Sequence, residues 1–145
     1  MAKRKSAIQG KARDIMHQGA KCVQADESLQ EAARTMRDLH VGSLPICDHD
    51  KLTGIITDRD IVIKCVAEGR DPSTVKAREL ASHLHWIDAD ADIGEALHLM
   101  EDQKIRRLPV LEQKRLVGVI SEADVVRSLP EHEVAEFCEK VYAAR

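Results

Sequence analysis

Aromatic side chains are nearly missing: the 145 residues contain one Trp, one Tyr and one Phe. A core must therefore be assembled from Leu, Ile, Val, Ala and Met, and stacking platforms for single-stranded nucleic acid are scarce. An excess of one charge sign is missing too. The 22 basic and 25 acidic residues are interspersed and leave a formal net charge of -3, so no global field draws in a polyanion and nucleic acid is not an expected partner. Lys3-Arg4-Lys5 is a local exception that reads as part of a flexible, solvated tail over residues 1–11. No apolar run reaches the ~18 residues that a bilayer span requires, and the first residues lack the apolar stretch of a secretion signal. A cytoplasmic protein without a membrane partner is the expectation.

Metal and catalytic signatures are also lacking. Cys22, Cys47, Cys65 and Cys138 show no C-x-x-C spacing, which argues against a zinc cage and for reduced, mostly buried thiols. The stretch Cys47-Asp48-His49-Asp50 offers mixed ligand types, but a polar turn explains it more simply. No G-x-x-x-x-G-K-[ST] loop occurs, Ser121 has no nucleophile-elbow glycines, and the seven histidines are scattered. The chain reads as a non-enzyme with no required cofactor.

What the sequence does contain is a duplication. A shift of 64 carries Leu29, Glu31, Ala32, Ala33 and Met36 onto Ile93, Glu95, Ala96, Leu97 and Met100. The same shift carries Leu44-Pro45-Ile46 onto Leu108-Pro109-Val110, and Gly54-Ile55-Ile56-Thr57 onto Gly118-Val119-Ile120-Ser121. It also carries Asp60-Ile61-Val62 onto Asp124-Val125-Val126. A lead-in pair, Ala12-Arg13-Asp14-Ile15-Met16 and Ala77-Arg78-Glu79-Leu80-Ala81, lies 65 apart. Sustained self-similarity of this kind marks a repeat architecture. The division that follows is a first repeat at 12–69, a linker at 70–75 rich in small polar residues after Gly69, a second repeat at 76–129, and a terminal helix at 130–145.

Each repeat changes its apolar period in the same order. Leu29, Ala32, Ala33, Met36 and Leu39 recur at helical spacing, with Ser28/Glu31 and Asp92/Glu95 placed as capping boxes. Short β-branched runs at 44–47 and 52–57 follow, joined by a polar hairpin turn, and residues 58–68 continue as a helix closed by Gly69. With a brief strand near 21–24, each half reads β-α-β-β-α, an α/β (α+β) class in which neither half buries its faces alone. The length and 43% hydrophobic content suit one such two-repeat module. Ser128 is placed as N-cap of the last helix, whose stripe of Val134, Phe137, Cys138 and Val141 reads as a docking face.

The two h-P-h strands at Pro45 and Pro109 and the two G-h-h-[ST]-x-x-D segments, repeated in register, resemble the CBS domain family, whose members occur as tandem pairs called Bateman modules. The resemblance covers residues 12–129. Leu-Pro-Ile-Cys, Thr-Asp-Arg-Asp-Ile-Val-Ile-Lys and Ser-Leu-Pro-Glu-His make the chain similar to small stand-alone CBS-pair proteins of the hypoxic response protein type.

Thr57 with Asp60, and Ser121 with Asp124, admit two readings. One is a capping pair, worth about 1 kcal/mol at each helix. The other is a carboxylate that accepts from both ribose hydroxyls, with a helix N-terminus nearby for phosphate. The resemblance favours the second and implies an adenosine nucleotide, AMP, ADP, ATP or NAD, in the cleft between the repeats. By that resemblance one site combines Ile55, Ile56, Thr57 and Asp60 with His85, Trp86, Ile87, Arg106 and Arg107. A second combines Val119, Ile120, Ser121 and Asp124 with Lys21, Cys22, Val23, Gly42 and Ser43. The arginines make the first the better phosphate site, because guanidinium groups bind phosphate bidentately. The resemblance further implies a homodimer through helical faces and an unidentified downstream protein partner. An alternative is a stress-associated interaction protein with unoccupied pockets. Cys22 and Cys47 should lie on adjacent parallel strands, where a disulfide requires Cα atoms within about 7 Å; a reducing cytoplasm favours free thiols.

Overall fold

The computed structural model describes residues 9–19, 21–81 and 84–143, so Lys3-Arg4-Lys5 and most of the expected tail lie outside the described residues. In chain order the first elements are α1 (Ala12–Ile15), β1 (His17–Gln18), β2 (Val23–Gln24), α2 (Leu29–Leu39), β3 (Ser43–Asp48), β4 (Lys51–Thr57) and α3 (Asp58–Ile61). A π-helical stretch, Val62–Val66, prolongs α3, and a 3-10 turn follows at Ala77–Glu79. The rest are β5 (Ile87–Asp88), α4 (Ile93–Gln103), β6 (Arg107–Glu112), β7 (Arg115–Ser121), α5 (Glu122–Ser128) and α6 (Glu131–Val141). The β-α-β-β-α order expected from the sequence is present twice.

These elements form two compact units, one from residues 20–85 and the other from residues 1–19 together with 86–145. The packing units therefore do not coincide with the sequence repeats. In the unit of residues 20–85, β2 pairs in parallel with β3 and β3 pairs antiparallel with β4. Val23, Leu29, Ala32, Leu44, Ile46 and Ile56 build its core, and the lead-in residues Val75, Ala77 and Leu80 complete it. Ala77 N–H donates to Glu27 O at 2.8 Å and Arg78 N–H to Ala25 O at 3.0 Å.

The other unit repeats this arrangement with the opposite lead-in. Ala12 N–H donates to Ala91 O at 2.8 Å and Arg13 N–H to Ala89 O at 3.0 Å, and Ala12 joins a core of Ile93, Leu97, Met100, Leu108 and Ile120. Arg13 reaches Asp90 Oδ1 at 2.8 Å and Glu112 Oε2 at 3.0 Å, and its hydrogen bond holds the Asp90 carboxyl below its ordinary range. The sheet gains β1, giving the order β1-β7-β6-β5.

Four expectations need correction. The buried face of α2 is Leu29, Ala32 and Met36; Ala33 and Leu39 are exposed. In α4 the counterpart of Ala33, Leu97, is buried in the same cluster as Phe137 and Val141, because α6 packs on α4 and widens its covered stripe. Phe137, the sole Phe, is thus fully buried. Next, Ser28 does cap α2, its hydroxyl accepting from Glu31 N–H at 3.1 Å, but the side chain of Asp92 makes no such bond at α4. Third, Ser128 ends α5 and its hydroxyl donates back to Asp124 O at 2.8 Å, while Pro130 occupies the N-cap of α6. Finally, Cys22 and Cys47 are joined as a disulfide with Cα atoms 5.7 Å apart, as the parallel pairing of β2 with β3 permits, and only Cys65 and Cys138 are free.

Candidate functional site

In each repeat the strand after the hairpin runs straight into a helix, and the turn between them is fixed by side chains. In the unit of residues 20–85, β4 ends at Thr57, whose hydroxyl accepts from Asp60 N–H at 3.0 Å. Asp60 Oδ2 accepts from Thr57 N–H at 3.0 Å, which completes the reciprocal box. The other oxygen, Oδ1, lies 3.3 Å from Lys64 Nζ, on a side chain that is half exposed. Gly42 and Ser43 stand beside this turn: Asp58 N–H donates to Gly42 O at 2.9 Å, and Ser43 is the register partner of Thr57. A Cβ on Gly42 would come within 3.2 Å of Asp58 Oδ2, so the absent side chain leaves room for that carboxylate.

The other unit builds the same box more heavily. Asp124 Oδ2 accepts from Ser121 N–H, from the Ser121 hydroxyl and from His17 Nδ1–H, all at 2.8 Å. Asp124 Oδ1 accepts from Arg127 Nη2 at 2.6 Å. Because a carboxylate only accepts, the His17 ring carries its proton on Nδ1. Burial pushes the Asp124 carboxyl up, but the donors from Ser121 and His17 outweigh it and hold the group below its ordinary value. His17 is delivered by β1, which pairs antiparallel with β7, Gln18 lying opposite Gly118. A Cβ at Gly118 would sit 2.6 Å from Met16 Sδ and 2.8 Å from His17 O, so the close approach of β1 requires glycine there.

The remaining sequence-derived site residues separate by burial. Ile56, Ile120 and Val23 are almost fully buried core residues, so a ligand would meet only their backbone. Cys22 is held in the disulfide, Lys21 is exposed, and Ile55 and His85 are half-buried. Val119 is buried and faces His17 across the β1–β7 pair. Ile87 begins β5, and Trp86 just before it is 48% exposed. Arg107 is the register partner of Ser121, and Arg106 O accepts from Glu122 N–H at 3.1 Å. Within each unit, then, the residues preceding the h-P-h proline lie next to that repeat's own [ST]-x-x-D turn.

Three residues at these turns have no forerunner in the sequence reading. His17 lies 107 positions before Asp124, and no local spacing connects them. Arg127 stands three residues after Asp124, which helical geometry alone makes a neighbour. Tyr142 of the segment after α6 bonds through its hydroxyl to Glu122 Oε2, and the Arg106 guanidinium sits 5.3 Å above its ring.

A β-α-β-β-α unit present twice, each with an [ST]-x-x-D box at its strand-to-helix turn, defines a tandem-repeat protein of the α/β class. Residues 12–66 and 77–131 match the family model of the CBS domain, and the chain belongs to that family. Over 132 residues it is 49% identical to Hypoxic response protein 1 of Mycobacterium tuberculosis, spanning 90% of this chain and 92% of that protein. It is also similar to the crystal structure of Hypoxic Response Protein I with two coordinated zinc ions, with a TM-score of 0.78 and 51% identity over 83% of this chain and 100% of that one. The hexameric CBS-CP12 protein from bloom-forming cyanobacteria matches with a TM-score of 0.75 and 26% identity, over 88% of this chain and 77% of that one.

The two zinc ions belong to the Hypoxic Response Protein I structure. Among the described residues no group of three or more His, Cys, Asp or Glu side chains converges to hold a metal ion. In the stretch Cys47-Asp48-His49-Asp50 the sulfur belongs to the disulfide, and His49 Nδ1 lies 3.0 Å from Asp48 Oδ1 in an exposed turn. These residues do not fit a zinc cage, which takes four N, S or O ligands in a tetrahedron.

Proposed function

We propose that this chain is a regulatory module that binds an adenosine nucleotide, AMP, ADP, ATP or NAD, and performs no chemistry of its own. Asp60 carries the reading. It is a carboxylate at a strand-to-helix turn with one oxygen used by the backbone and the other contacted, among the described residues, by a half-exposed lysine alone, which suits it to accept from a ribose diol. The membership in the CBS domain family supports the same ligand class. A ligand alters regulation only if it binds two conformations unequally, so the nucleotide would act by favouring the form that docks with a downstream protein.

We further propose a homodimer formed through helical faces. Leu39 and Val41 at the end of α2, with Val62, Ile63 and Val66 on the helix that follows β4, are 41–58% exposed, and large exposed apolar groups of this kind favour association. The hexameric state of the CBS-CP12 protein, which shares this fold, supports association of the chain. Light scattering at micromolar concentration is expected to give twice the 16.2 kDa chain mass; a monomeric mass contradicts the dimer.

Calorimetric titration of the purified protein with each of the four nucleotides tests the ligand. Saturable binding of at least one at micromolar strength is the expected result. Absence of heat with all four, from folded protein freed of carried-over ligand, would turn the assignment to an interaction protein with unoccupied pockets.

A further inference from the structure

The two [ST]-x-x-D boxes match in sequence, yet their carboxylates differ in what remains for a ligand to use. A carboxylate offers about four lone-pair positions. At Asp124 the chain itself supplies four donors: Ser121 N–H, the Ser121 hydroxyl, His17 Nδ1–H and Arg127 Nη2. A ribose diol donating to this carboxylate has to displace at least one of them, and the side chain is only 5% exposed. The flank is taken up as well, because Tyr142 bonds to Glu122, the first residue of α5, beneath the Arg106 guanidinium.

Among the described residues only Thr57 N–H and Lys64 Nζ engage the Asp60 carboxylate, and the lysine reaches it from a half-exposed position at 3.3 Å. Two acceptor positions remain, the number a ribose diol requires. The asymmetry has a sequence origin. The shift of 65 that relates the lead-in segments carries His17 onto Ser82, which lacks an imidazole, and the shift of 64 carries Lys64 onto Ser128 while placing Arg127 opposite Ile63.

We infer that the chain binds one nucleotide, at Asp60, and that His17 and Arg127 are its own occupants of the second box, standing where a ribose would donate. This rests on the nucleotide reading proposed above and fixes its stoichiometry. The two residues set the count by competition rather than by touching the bound ligand.

The test counts molecules bound per intact chain for whichever of AMP, ADP, ATP and NAD binds most tightly. Wild-type protein is expected to bind one. The double variant His17→Ala/Arg127→Ala is expected to bind two, the second more weakly. Two per chain in the wild type, or one per chain in a folded double variant, overturns the inference while leaving the nucleotide reading intact. No binding by either protein removes that reading, and the inference falls with it. If the double variant does not fold, the His17 imidazole resonances of the wild type decide: they are expected to hold their positions at saturating nucleotide, and their displacement would put the ligand at Asp124 and overturn the inference.

Discussion

Four donors on one buried carboxylate make Asp124 the most constrained ionisable group at either turn. Its folded-state pKa lies below the ordinary carboxylate value, so the stabilisation belongs to the ionised form. That contribution is present in full above about pH 4 and is lost as the pH falls through the lower folded value. Asp124→Asn is therefore expected to lower stability at pH 7 by roughly 1–3 kcal/mol, since hydrogen bonds to charged groups are lost. Between pH 4 and pH 2 the variant should lose less stability than the wild type. Urea unfolding at a series of pH values measures both, and parallel curves for the two proteins would contradict this role of Asp124. Asp60 differs although the sequence motif is the same, because Asp124 gains His17 and Arg127 from outside the motif and the donated Ser121 hydroxyl from within it.

The elements themselves were largely written in the sequence. Helical spacing marked α2 and α4, the h-P-h runs marked β3 and β6, and Gly69, at φ +71, closes the helical segment after β4 as its position suggested. The misreadings concern partners. Ala33 and Leu97 occupy equivalent positions, and only the docking of α6 on α4 buries one of them, which no periodicity within either helix records. Ser128 had the chemistry of an N-cap but already belonged to α5, where its hydroxyl satisfies a backbone carbonyl. The strand β1 is two residues long and has no pattern of its own; its place is held by β7 and by the missing side chain of Gly118. Gly118→Ala is accordingly expected to push β1 off β7, at a cost of about 1–3 kcal/mol as for other overpacked sites. It should release His17 from Asp124, seen as a shift of the His17 imidazole resonances. Unchanged resonances in a folded Gly118→Ala protein would show that β1 does not depend on that glycine.

At the scale of the whole molecule, the duplication was legible and the exchange of lead-in segments was not. Ala12-Arg13 and Ala77-Arg78 are near-copies, so nothing in their composition says which core each completes; the choice is made by backbone bonds to Ala89 and Ala91 in one case and to Ala25 and Glu27 in the other. Likewise the disulfide between Cys22 and Cys47 follows from the β2–β3 pairing, a neighbourhood the sequence already indicated; the expectation of free thiols came from a reducing cytoplasm and not from the strands. The functional reading turns on a single group, the Asp60 carboxylate. The most direct measurement is a calorimetric titration of Asp60→Ala beside the wild type, with matching circular dichroism to establish that both are folded. Loss of a charge-assisted contact to ribose predicts affinity weakened roughly tenfold or more. Equal affinity in the two proteins would contradict a ribose site at Asp60.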